Sequence, residues 1–262
     1  MTILKRHDTG AIAHLTMNAP ERLNALSDEM LAALQAQIET LTHDSSIKVV
    51  ILSGAGKAFC AGHDIKQMNS ARDSPDGGKA NFQDLFTRCT SVMTGLQKLP
   101  QVVIAQVHGI ATAAGCQLVA SCDLAVATED TKFGVNGVSI GLFCSTPMVA
   151  LSRNIPRKHA LELLTTGNFM TAHRAAELGL INQAVPNDDL KSATLLLANT
   201  IADKLGSALK IGKHAFYQQL EMPLDKAYAF TGDVIVENLL HQDTIEGMNA
   251  FAEKRQPSWK KD

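Results

Sequence analysis

Two glycine-punctuated segments hold the residues best placed to do chemistry. The first is Gly54-Ala-Gly-Lys-Ala-Phe-Cys-Ala-Gly-His-Asp-Ile-Lys-Gln-Met68, and the second is His108-Gly-Ile-Ala-Thr-Ala-Ala-Gly-Cys-Gln-Leu-Val-Ala-Ser-Cys-Asp123. Each follows a short apolar run, Val49–Leu52 and Val102–Val107, and each opens into a sequence able to form a helix. The order strand, small-residue turn, helix start leaves backbone N–H groups free to point at a bound oxygen. Two such turns in one chain can aim two amides at the same oxygen, which is how a developing oxyanion is stabilised. Neither segment is a nucleotide-phosphate loop. Before Lys57, Ile51 stands where a P-loop has its first glycine, and Ala58 replaces the Ser or Thr. Phe59 occupies the third glycine position of a G-x-G-x-x-G.

The side chains around these turns are few. His63 follows Gly62, has an ordinary pKa near neutrality, and is the best placed acid or base. Asp64 precedes the helix-like Ile65–Met68 and reads as its N-cap. Cys116 and Cys144 are nucleophiles only if their thiols are acidified, and on apolar segments they read as small core residues. Asn136 and Ser145 can hold a water or an acyl group. Asp123 closes a turn or caps a backbone group, and His108 reads as structural.

Lys57–Ile65 and His108–Asp123 resemble the two oxyanion-hole loops of the crotonase, or enoyl-CoA hydratase/isomerase, family. The resemblance extends over Asn18–Leu26, Phe133-Gly134, Gly167, Ala175–Leu180 and Glu246–Lys254, and so over nearly the whole chain. It implies an α/β fold: a spiral of β-β-α turns over residues 1–195, then a C-terminal helical region, 196–262, that mediates assembly into a homotrimer or a dimer of trimers. It also implies an acyl-CoA thioester as the partner, with its carbonyl between the N–H groups of His63 and Ala114. Coenzyme A then enters as part of the substrate, with no separate cofactor and no metal. The backbone of Ala61, His63, Asp64 and Ile65 is placed by resemblance against the adenine and the pantetheine arm. Arg22 and Lys254 are the phosphate partners it suggests, and Phe251 and Lys254 reach toward a neighbouring subunit's site.

One departure bears directly on the reaction. The family's hydratases use two glutamates to activate water and deliver a proton. The positions that match them are Gln117 and Gly137 here. A carboxamide can orient water but cannot take its proton, and glycine offers nothing. General acid and base groups contribute roughly 10²–10⁴ each, so hydration of a 2-enoyl thioester, the family's default, is expected to be slow. The alternatives are an acyl-CoA decarboxylase, since Gly62-His63-Asp64 is similar to methylmalonyl-CoA decarboxylase relatives, or a thioesterase. The rival from another class is a non-catalytic acyl-CoA-binding protein. Glutamates introduced at 117 and 137 are expected to restore hydration if the oxyanion site is intact.

The elements that must position these residues are legible in outline. Residues 2–17 read as a hairpin turning at Asp8-Thr9-Gly10, and Ser27 caps a helix over 28–43 with Met30, Leu31, Leu34, Ile38 and Leu41 at helical spacing. Ser70–Gly78 reads as a mobile loop, Phe82–Leu96 as a helix ending before Pro100, and Leu124–Ala127 as a strand. Strand signals thin after about residue 150 and helices dominate from Pro156. The 262 residues are 45% hydrophobic, enough for one sizeable core. A net charge of -2 with no basic face argues against nucleic acid, and no apolar run approaches a membrane span. Five cysteines without C-x-x-C spacing argue against zinc and for reduced thiols. The immediate entry into a strand pattern argues against a leader segment, so a cytoplasmic location is expected.

Overall fold

The computed structural model describes residues 2–259. Residues 260–262, the end of the expected helical region, lie outside the described residues. The chain begins with the hairpin β1 (Leu4–Thr9) and β2 (Ile12–Met17), then helix α1 (Asp28–Thr42) and strand β3 (Val49–Gly54). Helices α2 (Ile65–Ala71) and α3 (Lys79–Lys98) follow, then β4 (Val102–Val107), β5 (Ile110–Thr112), α4 (Ala114–Ser121), β6 (Leu124–Thr128) and β7 (Lys132–Gly134). Next are α5 (Ser145–Asn154), α6 (Arg157–Thr166), β8 (Met170–Thr171), α7 (Ala172–Leu178) and β9 (Gln183–Val185). The chain ends in α8 (Leu190–Ala202), α9 (Gly206–Gln219), α10 (Leu224–Leu240) and α11 (Gln242–Ala252).

The strands form a six-stranded sheet in the order β1-β2-β3-β4-β6-β9 and a three-stranded sheet, β5-β7-β8. Among the described residues, only the β1–β2 and β7–β8 pairs are antiparallel. The main core lies on the face of the large sheet covered by α1, α3 and the small sheet. On the other face Val49, Ile51 and Ile104 pack with Ala198 of α8. Burial on both faces is why β3 reads as an unbroken apolar run, as central parallel strands do. Helix α8 runs unbroken through residues 195 and 196, and the chain leaves it only after Ala202.

Most differences from the sequence reading are at the margins. The polar stretch 70–78 keeps its first two residues in α2. The strands β8 and β9, of two and three residues, escaped notice because a period-2 pattern needs about four residues to show.

Strands β3 and β4 are parallel neighbours, with Val49 opposite Val102 and Ser53 opposite Gln106. Their carboxyl ends therefore release the two glycine segments side by side on one edge of the sheet, where α/β folds place ligands.

Candidate oxyanion site

The two segments are joined by hydrogen bonds. Phe59 N–H donates to the His108 carbonyl at 3.1 Å, Cys60 N–H to Ile110 at 3.2 Å, and Thr112 N–H to Cys60 at 3.1 Å. Cys60 thus acts as one rung between the loops. Two glycines permit this approach. A Cβ at Gly109, where φ is +65°, would run into the Lys57 carbonyl oxygen, and one at Gly115 would run into that of Cys60. Gly62 completes the contact, because a Cβ there would sit 3.3 Å from the Ala114 nitrogen.

The segment 18–26 clamps the first loop from its other side. Ala61 N–H donates to the Leu23 carbonyl at 3.0 Å, and Leu26 N–H donates to that of Gly62 at 2.7 Å. Asn24 is fully buried and every end of its side chain is used: Oδ1 accepts from Ala19 N–H at 3.0 Å, and Nδ2 donates to the carbonyls of Ala55 and Ala58, each at 2.8 Å. Leu23 and Asn24 both have positive φ, 53° and 52°. Asparagine tolerates that region, whereas leucine is held there by its surroundings. Asn24 was not singled out from sequence, although it lies within the Asn18–Leu26 segment.

His63 and Ala114 are among the amides left over from this network. Among the described residues, neither His63 N–H nor Ala114 N–H donates a hydrogen bond. Ala114 is the first residue of α4, so its free amide is one of those a helix start leaves open, with the positive end of the helix dipole behind it. The preceding Ala113 has φ 50° and ψ −120°, a conformation that costs a residue with a Cβ roughly 1–3 kcal/mol. It is held by Ala113 N–H to the Gly134 carbonyl at 2.9 Å and by Gln117 N–H to its own carbonyl at 3.1 Å.

A cleft of about 910 Å³ runs along the first loop and is walled by Arg22, Ala61, His63, Asp64 and Ile65 together with α1, α2 and α3. Five of the residues expected at the site therefore share one cleft. Ala114, Gln117 and Gly137 do not line it. Phe251 and Lys254 stand on and just after α11, exposed to solvent and away from its walls. Asp64 caps α2, accepting from Lys66 N–H at 2.9 Å and Gln67 N–H at 3.3 Å, and its other oxygen lies 3.6 Å from the Arg22 guanidinium. The His63 ring is edge-on to Phe86, with centroids 5.4 Å apart, and both of its nitrogens are covered without a hydrogen-bond partner. Burial pushes its pKa down, opposed in part by the nearby Leu26 backbone.

Positions 117 and 137 differ sharply from each other. Gln117 is buried on α4 with its Oε1 unpartnered. At Gly137 there is no space to build on: a Cβ would collide with the Leu142 carbonyl oxygen and sit 2.8 Å from the Cys144 sulfur. The expectation that glutamates at both positions would restore a hydratase site is corrected on that ground. The loop through Leu142–Cys144 already fills the place. Burial also pushes the Cys60 and Cys116 thiols up to about 12, and raises those of Cys122 and Cys144, so none is a ready nucleophile. His108 Nε2 pairs with the Gly56 carbonyl at 2.8 Å and is structural.

Asp123 does more than cap. It accepts from Val103 N–H at 2.6 Å, from Lys213 Nζ at 2.6 Å and from Tyr217 O–H at 2.8 Å. Nothing in the local sequence pairs Asp123 with residues 90 and 94 positions away.

The sequence profile of the enoyl-CoA hydratase/isomerase family matches residues 7–262. Enoyl-CoA hydratase domain-containing protein 3, mitochondrial, of Xenopus laevis is 43% identical, covering 99% of this chain and 86% of that protein. A crystal structure of an enoyl-CoA hydratase from Mycobacterium smegmatis superposes with a TM-score of 0.94 at 48% identity, covering 98% of each chain. The crystal structure of human enoyl-CoA hydratase domain-containing protein 3 gives 0.93 at 40% identity, covering 98% of this chain and 100% of that one. With the crotonase fold matched from end to end, this chain belongs to the enoyl-CoA hydratase/isomerase family.

Proposed function

We propose that this protein binds an acyl-coenzyme A thioester and holds its carbonyl oxygen between the amides of His63 and Ala114 while that oxygen gains negative charge. The observation that carries the reading is the pair of unpartnered N–H groups on two loops tied together through Cys60. Removing one such donor typically costs about 10²–10³ in rate, so the pair is a substantial catalytic asset without any side chain. A reaction that passes through an enolate suits it best. Hydration by paired carboxylates suits it poorly, because Gln117 cannot accept a proton and position 137 has no room for a carboxylate.

Acetoacetyl-CoA tests this directly, since its enolate absorbs in the near ultraviolet. Bound to the protein, it should ionise at a pH at least about one unit below its value in solution, because hydrogen bonds to the charged form favour it. Crotonyl-CoA should be hydrated about 10⁴-fold or more slowly than by a relative carrying both carboxylates. Binding without any enolate signal would favour the non-catalytic binder, and rapid hydration would overturn the reading.

Self-association into a trimer or a dimer of trimers is part of the same proposal. Its support is the apolar surface that α10 and α11 leave uncovered, including Leu224, Tyr228, Leu240 and Phe251. A monomer in sedimentation would remove it. A reducing, cytoplasm-like compartment is likewise proposed, supported by five cysteines that are all free.

A further inference from the structure

A second cavity, of about 680 Å³, lies away from the oxyanion loops. Its walls include Lys48, which precedes β3, and Gln101, which precedes β4, together with the start of α9 and with Asp243 and Trp259. It therefore sits at the amino ends of the strands whose carboxyl ends carry the glycine segments. A strand of six residues sets the two edges about 20 Å apart. The chemistry proposed above makes no use of it.

Two kinds of group on its walls lack partners. The first kind accepts. Asp243, in the first turn of α11, is 7% exposed, yet its carboxylate accepts no hydrogen bond among the described residues. His241 Nδ1 lies 3.5 Å from it, but that nitrogen accepts from the Asp243 N–H and as an acceptor has no proton to share. Gln101 is 2% exposed, with its Oε1 unpartnered. Its Nε2 is committed to the carbonyls of Leu41 and Asp44 at 2.7 and 3.0 Å, so the carboxamide cannot turn over to offer a donor instead. The Trp259 ring, seated against Gly247 of the helix that bears Asp243, adds a π face.

The second kind donates. Helix α9 starts after Leu205 with no side-chain cap, and the amides of Gly206 and Ser207 donate no hydrogen bond among the described residues. Ser207 Oγ is covered and unpartnered as well. Lys210 walls the cavity one turn further along the same helix. Of the other charged residues there, Lys48 is spent on the carbonyls of Ala202 and Lys204 and Asp44 on Arg6, while His43, Asp203 and Lys204 are exposed.

Native proteins rarely leave covered polar groups unpaired unless a ligand or water completes them. A buried carboxylate beside an indole selects a cation, and open helix amides with a lysine select an anion. A purely anionic ligand would face Asp243, and a purely cationic one would face the positive end of α9. One molecule carrying both charges answers both sets. We propose that this cavity binds a small zwitterion, its ammonium against Asp243 and Trp259 and its carboxylate on the start of α9. Such a ligand bridges α9 and α11 at the amino edge of the sheet. The proposal is independent of the acyl-CoA reading.

Trp259 is the sole tryptophan of the chain, so its fluorescence reports on this cavity. The full-length protein titrated with ω-amino acids of increasing length, from glycine to 6-aminohexanoate, tests the proposal, with butyrate and butylammonium as the single charges. At least one ω-amino acid should give a saturable change with a dissociation constant about tenfold or more below that of either single charge, the worth of a hydrogen bond to a charged group. Asp243→Asn should weaken that ω-amino acid about tenfold and leave butyrate unchanged. No saturable change with any member of the series overturns the proposal, as does binding no tighter than that of the single charges. An Asp243→Asn protein that keeps the wild-type affinity overturns it too. Should that variant fail to fold, the wild-type comparison decides alone.

Discussion

His63 contributes twice from one residue, through a free amide and through a ring that the fold covers on both nitrogens. The ring's pKa is depressed by burial from an ordinary 6.5. The unfolded chain therefore takes up this proton at a higher pH than the folded one. Above about pH 6.5 the difference contributes nothing further, and as pH falls from there stability is lost until the folded ring also protonates. Wild type should consequently lose more thermal stability between pH 7 and pH 5 than His63→Gln does, and parallel melting curves for the two would contradict the buried, neutral ring. Residue-level chemistry was partly legible in the sequence. Asp64 as a helix cap follows from its place before an apolar turn, and Gln117 is picked out by the resemblance, which matches it to a glutamate of the hydratases. The filled space at Gly137 could not be read, because it depends on a carbonyl at Leu142 and a sulfur at Cys144 that only the folded loop brings there. Nor could the strained Ala113, whose side chain gives no sign of its backbone angles.

At the scale of elements, the site is a product of strand order. Adjacent parallel strands β3 and β4 deliver both loops to one edge, and the Cys60 rung fixes their spacing. The apolar runs and the small-residue turns were readable because they are local. Their adjacency was not, since strand neighbours separated by a long crossover leave no mark in periodicity. Glycines 109 and 115 carry the cost of that adjacency. Each lies against a carbonyl of the first loop, so a side chain at either position must push the two segments apart. The helix start and the loop contact are thus a single feature, and Ala113 is where the chain absorbs the resulting strain.

Across the whole molecule, a buried ion pair joins the sheet to the C-terminal helices. Lys213 of α9 is buried, and its Nζ is shared among Asp123 and the carbonyls of Leu96 at 2.9 Å and Gln101 at 2.7 Å. Removing one partner of such a pair should cost about 3–5 kcal/mol, because the other charge stays buried. Urea unfolding should show losses of that size for Lys213→Met and for Asp123→Asn, with the double variant losing clearly less than their sum. Additive losses would mean that the two groups act independently. The charge on Asp123 lies at the end of the turn that follows α4, so the tail's docking and the second loop share a boundary. There is a consequence for how the chain is made. Asp123 is synthesised 90 residues before Lys213, so this pair cannot close until α9 has been made. A chain cut short before α9 therefore holds the sequence of the spiral without the cation that its buried carboxylate pairs with.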